Sequence, residues 1–598
     1  MHFQQILFLG AIVIALLAFL WFVFVPIFGD GTPNELEPQA GYVFDYVVVG
    51  AGTAGSVVAS LLAKHSPKSS VLLIEAGDRF GLLSKIPLLA TFQQKGLNDW
   101  GFHSEPQLHS SRGLEEQRQY LPRGKGLGGS AQLNYMLHFD GESRDFEKWA
   151  SRHNLSDWRW KDIRPFLTAA RTQTHSLLEI PKDYSKITEA LEKVKNEFSK
   201  KKWRFRRARY TIHNGLRHNV YNQFLQPALK RRNLHTITKA YLKRVNLEFV
   251  DEEQSEVQSI LVGVIDEHNR EEFVFSVDVR CEVIISAGAY QSPQILLTSG
   301  IGDAPLFEEL DITQQLQLPL VGENLHDHLN LPLFVSIDTI GPTLNQRALL
   351  NPLQILNYLV NGNGHLGNFG VLGHIDSSYE DSFSLTFFGV GAVDERALMS
   401  ISNFKKEYFR ALFPRYHNAS QEGFVLISTC LQPKSRGTVT ISLRNTRRKP
   451  IIDPNYLREA GDIDCTIRAI RAAVEVVTSE SFASLQPRIH WPKIKDCKKY
   501  GPTEQDFVDN KPNDRYLECV MRYVGLGSHH PGGTCVMGTS ANNSVVNSEF
   551  KVHGVDNLRI IDASVLPTPI SGNPNSVIIG MAIRGATMIL QREKMKKK

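Results

Sequence analysis

Residues 44–75 read FDYVVVGAGTAGSVVASLLAKHSPKSSVLLIE, and their interpretation decides the fold. Runs 44–49 and 71–74 are short, apolar and β-rich. Between them Val57, Val58, Leu61 and Leu62 fall on one face of a helix. Gly50, Gly52 and Gly55 stand at G-x-G-x-x-G spacing where the first strand meets that helix. In such a unit one glycine makes the turn, one admits a pyrophosphate to the backbone, and one lets helix and strand pack closely. The helix N-terminus offers free N–H groups to the phosphates. Glu75, 20 residues beyond the last glycine, can accept from a ribose 2′-hydroxyl and would repel a 2′-phosphate. This favours FAD or NAD over NADP. The bare spacing also fits an ordinary glycine turn. The full strand–turn–helix–strand context carries the dinucleotide reading, but it does not separate FAD from NAD.

Outward from this unit, 598 residues suffice for two or three domains. A hydrophobic content of 42%, a charged content of 22% and a formal charge of +5 are globular values that argue against a nucleic-acid partner. The basic clusters 199–209 (SKKKWRFRRAR) and 592–598 (REKMKKK) read as solvated surface, with an anionic membrane as the alternative. Residues 6–28 run for 23 positions without a charge, long enough to span a bilayer core of roughly 30 Å. We expect a single membrane anchor, with the catalytic part lumenal or extracellular. A cleaved signal peptide, with secretion, is the rival reading. Sequons at Asn154, Asn418 and Asn542 fit a secretory route. The six cysteines show no C-x-x-C spacing, so no metal site is expected. A Cys497–Cys519 bridge is possible in a lumenal domain.

Further along, Gly124, Gly126, Gly128 and Gly129 make 120–134 (YLPRGKGLGGSAQLN) an irregular loop. Its apolar neighbours Leu127, Leu133, Tyr135 and Met136 suggest a packed loop that presents backbone N–H groups to a ligand. Helices are expected over 149–170, 187–198 and 221–230. Strands over 235–250, 256–266 and 271–279 suggest a small antiparallel sheet. A strand at 282–286 feeds a helix at 292–299, and 318–328 (LPLVGENLHDH) reads as a loop. From 331 to 525 the composition shifts, with strands over 383–391, 423–432 and 437–443 and a helix over 462–478. A strand at 558–562 and an apolar helix at 575–590 return to the style of the opening unit. The division is therefore 1–28 anchor or signal, 29–41 linker, 42–330 nucleotide domain with insertions from the second domain around 150–214, 331–525 second domain, and 526–598 closing part.

The sequence resembles the glucose–methanol–choline (GMC) oxidoreductases, in their insect glucose-dehydrogenase-like branch. The resemblance runs from about Phe44 to Leu590. It rests on GKGLGGSAQLNYM (124–136), GAYQSPQILLTSGIG (288–302), LPLVGENLHDH (318–328), IDPNY (452–456), HHPGGTCVMG (529–538) and IDASVLPTPISGNPNSV (561–577), in that order. It implies an α/β fold, α+β overall. A discontinuous Rossmann-like FAD domain is joined there to a substrate domain built on a large, mostly antiparallel sheet. It also implies oxidation of a small-molecule alcohol, with a hydride passing to flavin N5.

Alcohol oxidation needs a base within about 3 Å of the hydroxyl, and histidine titrates near neutrality. By the resemblance His530 is that base, and Asn573 is its partner on the substrate oxygen. The bland alternatives are a packed histidine, and a turn asparagine before Pro574. The resemblance also assigns Gly128, Gly129, Ser130 and Asn134 to the loop over the flavin, and Val245 to the adenine. It gives Asp562 and Ala563 to the pyrophosphate–ribityl part, with a turn cap as the alternative for Asp562. Asn575 and Ser576 open the last helix beside the isoalloxazine. Leu133 stands where some members carry a histidine joined to FAD, so FAD is expected to be non-covalent. His138, Gly532 and Val536 depart from the family pattern and weaken any inference about substrate. A sugar or a lipophilic alcohol such as a retinoid or sterol remains open, as does the electron acceptor. The alternative reading is a flavin-binding lumenal or interaction protein without catalysis.

Overall fold

The computed structural model describes residues 34–596, apart from 175–184, 202, 252–253, 266–270, 339–342, 350, 369, 378–381, 392–394, 396–398, 400–401, 414–420, 443–448 and 502. The apolar run 6–28 and the sequon at Asn418 lie outside the described residues. Among the described residues no helix is long and apolar enough to cross a membrane.

The fold grows from Tyr42–Val49. Val47 and Val48 are fully buried, as a parallel strand covered on both faces must be. It pairs in parallel with Val71–Ile74 on one side and Glu271–Ile285 on the other. Leu234–Ile237 extends the sheet beyond Val71–Ile74, and Leu558–Ile560 adds the far parallel strand beside Val283–Ile285. The first half of Glu271–Ile285 turns to antiparallel pairing with Ser255–Ile265, which pairs with Ala240–Phe249. Helices Thr53–His65 and Asn575–Lys596 pack on each other, and Trp160–Thr174 packs on the latter. A Cβ at Gly55 would lie 1.8 Å from the Gly50 carbonyl oxygen, so only glycine lets this helix sit on its turn.

The second sheet is antiparallel, in the order Arg488–His490, Leu329–Ile337, Glu422–Cys430, Phe383–Phe388, Val371–Ser377 and Trp203–Arg207. Alternation sorts its side chains. Val335, Phe424, Leu426, Phe387 and Ile375 join the core beneath helices Ser185–Glu197 and Ala460–Val477. By register the opposite face carries Phe334, Val425, Ile427, Phe388, Thr386 and His374. Disulfides Cys430–Cys465 and Cys497–Cys519 both lie in this part of the chain.

Three expectations need correction. Run 235–250 is two strands, because Lys239 takes a left-handed φ of 53° between them. Runs 271–279 and 282–286 are one strand of 15 residues. The exposed Asp278, Arg280 and Cys281 broke the sequence pattern, and they sit where the pairing with Tyr42–Val49 shifts register. The meander is therefore an extension of the nucleotide-binding sheet, not a separate one. Finally, 149–170 is not one helix. Ser143–Arg152 ends before a short turn at Ser156–Trp158, and Trp160–Thr174 begins afresh.

Candidate active site

A cavity of about 920 Å³ opens along the carboxyl ends of the parallel strands, where an open α/β sheet places its ligand. Gly50, Gly52, Glu75, Gly129, Ser130, Asp562 and Ala563 line it. Gly52 and Gly129 bring two glycine loops together, since a Cβ at Gly129 would lie 2.5 Å from Gly52 Cα. Glu75 holds that junction. Its carboxylate accepts from Ala51 N–H at 2.7 Å, Gly126 N–H at 2.9 Å and Gly77 N–H at 3.0 Å. Burial raises its pKa against those three donors. A carboxylate has about four acceptor positions, so one remains for a ribose hydroxyl.

Asp562 lines the same wall but is committed elsewhere. It accepts from Ser564 N–H and Oγ, Gly288 N–H and Ser292 Oγ, all within 2.8 Å. The carboxylate therefore shapes the cradle, and it also caps the turn Ala563–Val565. Gly55 and Gly128 act behind the wall. Gly128, at φ 97°, donates its N–H to the Ala51 carbonyl at 2.7 Å. Asn134 accepts from Met136 N–H at 3.0 Å and from the Arg217 guanidinium at 2.7 Å, which fixes the loop. Asn575 accepts from Thr53 Oγ1 at 3.0 Å and ties the last helix to the glycine turn. Val245 is not among the lining residues. It is buried, and its N–H donates to Ser299 Oγ, while Lys243 and Arg244 line the cavity.

The fit to FAD is one of shape and donors. Two glycine loops, the start of helix Thr53–His65 and the Glu75 acceptor line the cavity together. Pro531, next to His530, reaches the same wall.

His530 pairs with Asn573, whose Nδ2 lies 2.9 Å from His530 Nε2, and neither is itself a lining residue. On its other side His530 Nδ1 lies 3.0 Å from His328 Nδ1, and His328 Nε2 lies 3.0 Å from the Leu431 carbonyl oxygen. A carbonyl only accepts, so His328 carries its proton on Nε2. A neutral imidazole then leaves Nδ1 bare. His530 must donate from Nδ1, and its Nε2 lone pair is bare, accepting from the Asn573 amide. Burial drives His328 down to about 4. Burial, then His328, His529 and Arg123, hold His530 well below the usual histidine range. Both rings are thus neutral near pH 7.

Asp327 anchors the pair. Its Oδ1 accepts from His530 N–H at 2.7 Å and His328 N–H at 2.8 Å, and its Oδ2 accepts from Tyr456 Oη at 2.6 Å. Burial pushes Asp327 up to about 6, opposed first by the Tyr456 hydroxyl. Among the described residues Asp327, His328 and His530 are the one grouping whose ligand atoms lie within 4.8 Å of one another. Their donors and acceptors are used by these hydrogen bonds. Arg123 donates to the His529 carbonyl at 2.7 Å, and His529 takes a left-handed φ of 63° that aims its neighbour. Sequence reasoning read 318–328 as a loop only and missed Asp327, His328 and Arg123. The paired Asp327 and His328 at the end of that loop were the available signal.

The family model described as GMC oxidoreductase matches in two parts, residues 44–330 and 433–582. The chain is 56% identical over 597 residues to the Neither inactivation nor afterpotential protein G of Drosophila melanogaster, covering 99% of this chain and 98% of that protein. It is 28% identical over 592 residues to the glucose dehydrogenase (FAD, quinone) of Drosophila pseudoobscura pseudoobscura, covering 93% and 88%. Among solved structures, formate oxidase superposes with a TM-score of 0.75 at 20% identity, covering 93% of this chain and 100% of that one. Pyridoxine 4-oxidase from Mesorbium loti gives 0.70 at 21%, covering 91% and 99%. These two likenesses speak for the fold. The cofactor is FAD, and the chain belongs to the GMC oxidoreductase family, in its insect glucose-dehydrogenase-like branch.

Proposed function

We propose that this FAD-dependent oxidoreductase oxidises an alcohol at its CH–OH carbon. The observation that carries the reading is the bare Nε2 of His530 facing the Asn573 amide at 2.9 Å. A substrate hydroxyl entering between them donates to His530 Nε2 and accepts from Asn573 Nδ2. His530 removes the hydroxyl proton, and the positive charge it gains is shared through Nδ1–H with His328. Bound FAD supplies the hydride acceptor. Leu133, buried beside the glycine loop, has no nucleophile to join to the cofactor, so FAD is held non-covalently.

The substrate is a lipophilic alcohol such as a retinoid or sterol. Support comes from the face of the second sheet turned away from its helices, where Val425, Ile427 and Phe388 are half-buried. On that face His374 packs on Phe139 at 4.3 Å, and Phe139 closes on Gly572, next to Asn573. A sugar would ask that face for many more polar partners. The two disulfides suit an oxidising compartment. With the apolar run 6–28 they support a membrane-held protein whose catalytic part is lumenal or extracellular.

Anaerobic mixing with sterols, retinoids, simple alcohols and sugars, read as bleaching of the oxidised flavin, tests this. Bleaching by lipophilic alcohols and not by sugars is the expected result, and bleaching by sugars alone overturns the substrate class. No bleaching by any alcohol, with FAD bound, favours a non-catalytic flavin protein. Readmitting air tells whether oxygen or another acceptor takes the electrons.

A further inference from the structure

Helix Pro352–Asn361 reads PLQILNYLVN and carries no charge. Asn351 caps its start by accepting from Leu353 N–H at 3.0 Å, and Gly362 ends it with a left-handed φ of 68°. Tyr358 is its one buried residue, and the Tyr358 hydroxyl donates to the Gly215 carbonyl at 3.2 Å. Leu353, Leu356 and Val360 form the i, i+3, i+7 stripe that normally faces a core. Here they are 73%, 43% and 70% exposed, flanked by exposed Ile355 and Leu359.

The apolar surface continues past the helix. The next turn, His365–Gly367, packs against both the helix and Pro87–Gln93, and the latter segment packs on Leu82–Lys85. Phe92 and Leu83, on those two segments, are also exposed. Exposed apolar side chains gathered on adjoining segments mark an interaction surface.

We propose that this helix rests on a lipid bilayer, its Leu353–Leu356–Val360 stripe dipping into the headgroup boundary. The inference rests on the membrane-held reading above. The occupant is set by the chain itself. The uncharged run 6–28 ends only five residues before Asn34, where the described body begins. Five extended residues reach at most about 18 Å, so a body tethered by that run lies against the membrane. The uncharged stripe has nothing to offer an anionic partner. Binding through it should favour zwitterionic lipid and ignore salt, as burial of apolar side chains does.

The test uses the full chain in phosphatidylcholine vesicles doped with nitroxide lipid. A fluorescent probe that brightens in apolar surroundings is attached at Leu356→Cys, in a Cys281→Ser background that removes the exposed cysteine outside the disulfides. A probe at the exposed Glu308→Cys serves as the comparator. The expected result is that nitroxide lipid removes most of the emission at 356, in low and high salt alike, and leaves 308 unchanged. Adding Leu353→Ser and Val360→Ser should make the emission at 356 insensitive to nitroxide lipid, with FAD content unaltered. A chain that floats with the vesicles while 356 stays unquenched overturns this proposal alone. A chain that does not float overturns it together with the membrane-held reading. An unquenched 356 with a doubled particle mass assigns the stripe to a second copy instead, and also overturns it.

Discussion

His328 Nδ1 and His530 Nδ1 stand 3.0 Å apart although 202 residues separate them in sequence. The Leu431 carbonyl decides which of the two carries the shared proton, and so decides that His530 is a base at Nε2. Replacing His530 with alanine should lower the rate of flavin reduction by about 10²–10⁴-fold, the usual worth of a positioned base. FAD should stay bound, because His530 is not among the cavity-lining residues. Stopped-flow mixing under anaerobic conditions measures both.

His328→Ala should act through His530 without touching substrate. It frees the His530 tautomer and leaves the Nδ1–H unpaired, so a loss of about 10-fold or more is expected in flavin reduction. A merely structural role would leave the pH profile alone. The expected signature is an acid limb that moves to higher pH, since removing a nearby imidazole and admitting water relieve two of the effects that hold His530 low. An unchanged profile would falsify the relay.

Acid should destabilise the fold well before it denatures an average protein. Burial lowers His328 to about 4 and His374 and His529 to about 3, and holds His326 and His530 well below the usual range. The unfolded chain takes up these protons first as pH falls through about 6.5. Each such imidazole then costs about 1.4 kcal/mol per pH unit until its folded pKa is reached. Asp145 and Asp327, both raised by burial to about 6, work the other way between about pH 6 and 4. Across the described residues twelve imidazoles are lowered by burial and six carboxylates raised, which leaves a net loss. Thermal melting at fixed ionic strength should show Tm falling steadily from pH 7 to about 4.5, and a flat Tm in that window counts against the neutral buried histidines.

Gly129→Ala should release the cofactor more than it unfolds the protein. The added Cβ meets Gly52 Cα at 2.5 Å, at a residue already in a left-handed φ of 53°. The two loops must part, at a cost of about 1–3 kcal/mol. Purified protein should carry a clearly lower FAD-to-protein ratio while keeping a cooperative melt. Full FAD occupancy would mean that the loops are not the cradle.

Removing the Cys430–Cys465 bridge by Cys430→Ala with Cys465→Ala should cost about 2–4 kcal/mol of stability. Cys430 immediately precedes Leu431, whose carbonyl sets the His328 proton. Slower flavin reduction should therefore accompany the lower Tm. Neither Cys497 nor Cys519 adjoins in sequence a residue that bonds His328 or His530, so removing that bridge should lower Tm without slowing reduction.

The opening unit was legible because its information is local. Glycine spacing, two buried strands and Glu75 lie within 32 residues, and the structure places Gly50, Gly52 and Glu75 on one cavity. His530 and Asn573 were legible through the family resemblance, and their 2.9 Å meeting needed the fold. Asp327 and His328 were hidden because their chemistry depends on partners 129 and 202 residues away. The second sheet's order was illegible for a similar reason. Trp203–Arg207 reads as part of a basic surface cluster, yet it pairs with Val371–Ser377 at the sheet's edge. Val245 shows the limit of position-by-position transfer, since its neighbours Lys243 and Arg244 line the cavity in its place.

The late return of the chain to its first sheet bears on the order of synthesis. Leu558–Ile560 completes the parallel strands, and buried Arg559 locks it to Glu282 at 2.7 Å. His530, Asn573 and the closing helix also belong to the final seventy-odd residues. A ribosome therefore releases the glycine turn long before the residues that finish its cavity. Cofactor capture must wait until residues 558–575 have been made, and a nascent chain stalled before residue 558 would expose an unfinished nucleotide-binding edge. Premature termination near the C-terminus should yield a protein that lacks its flavin altogether, not one that holds it and merely turns over slowly.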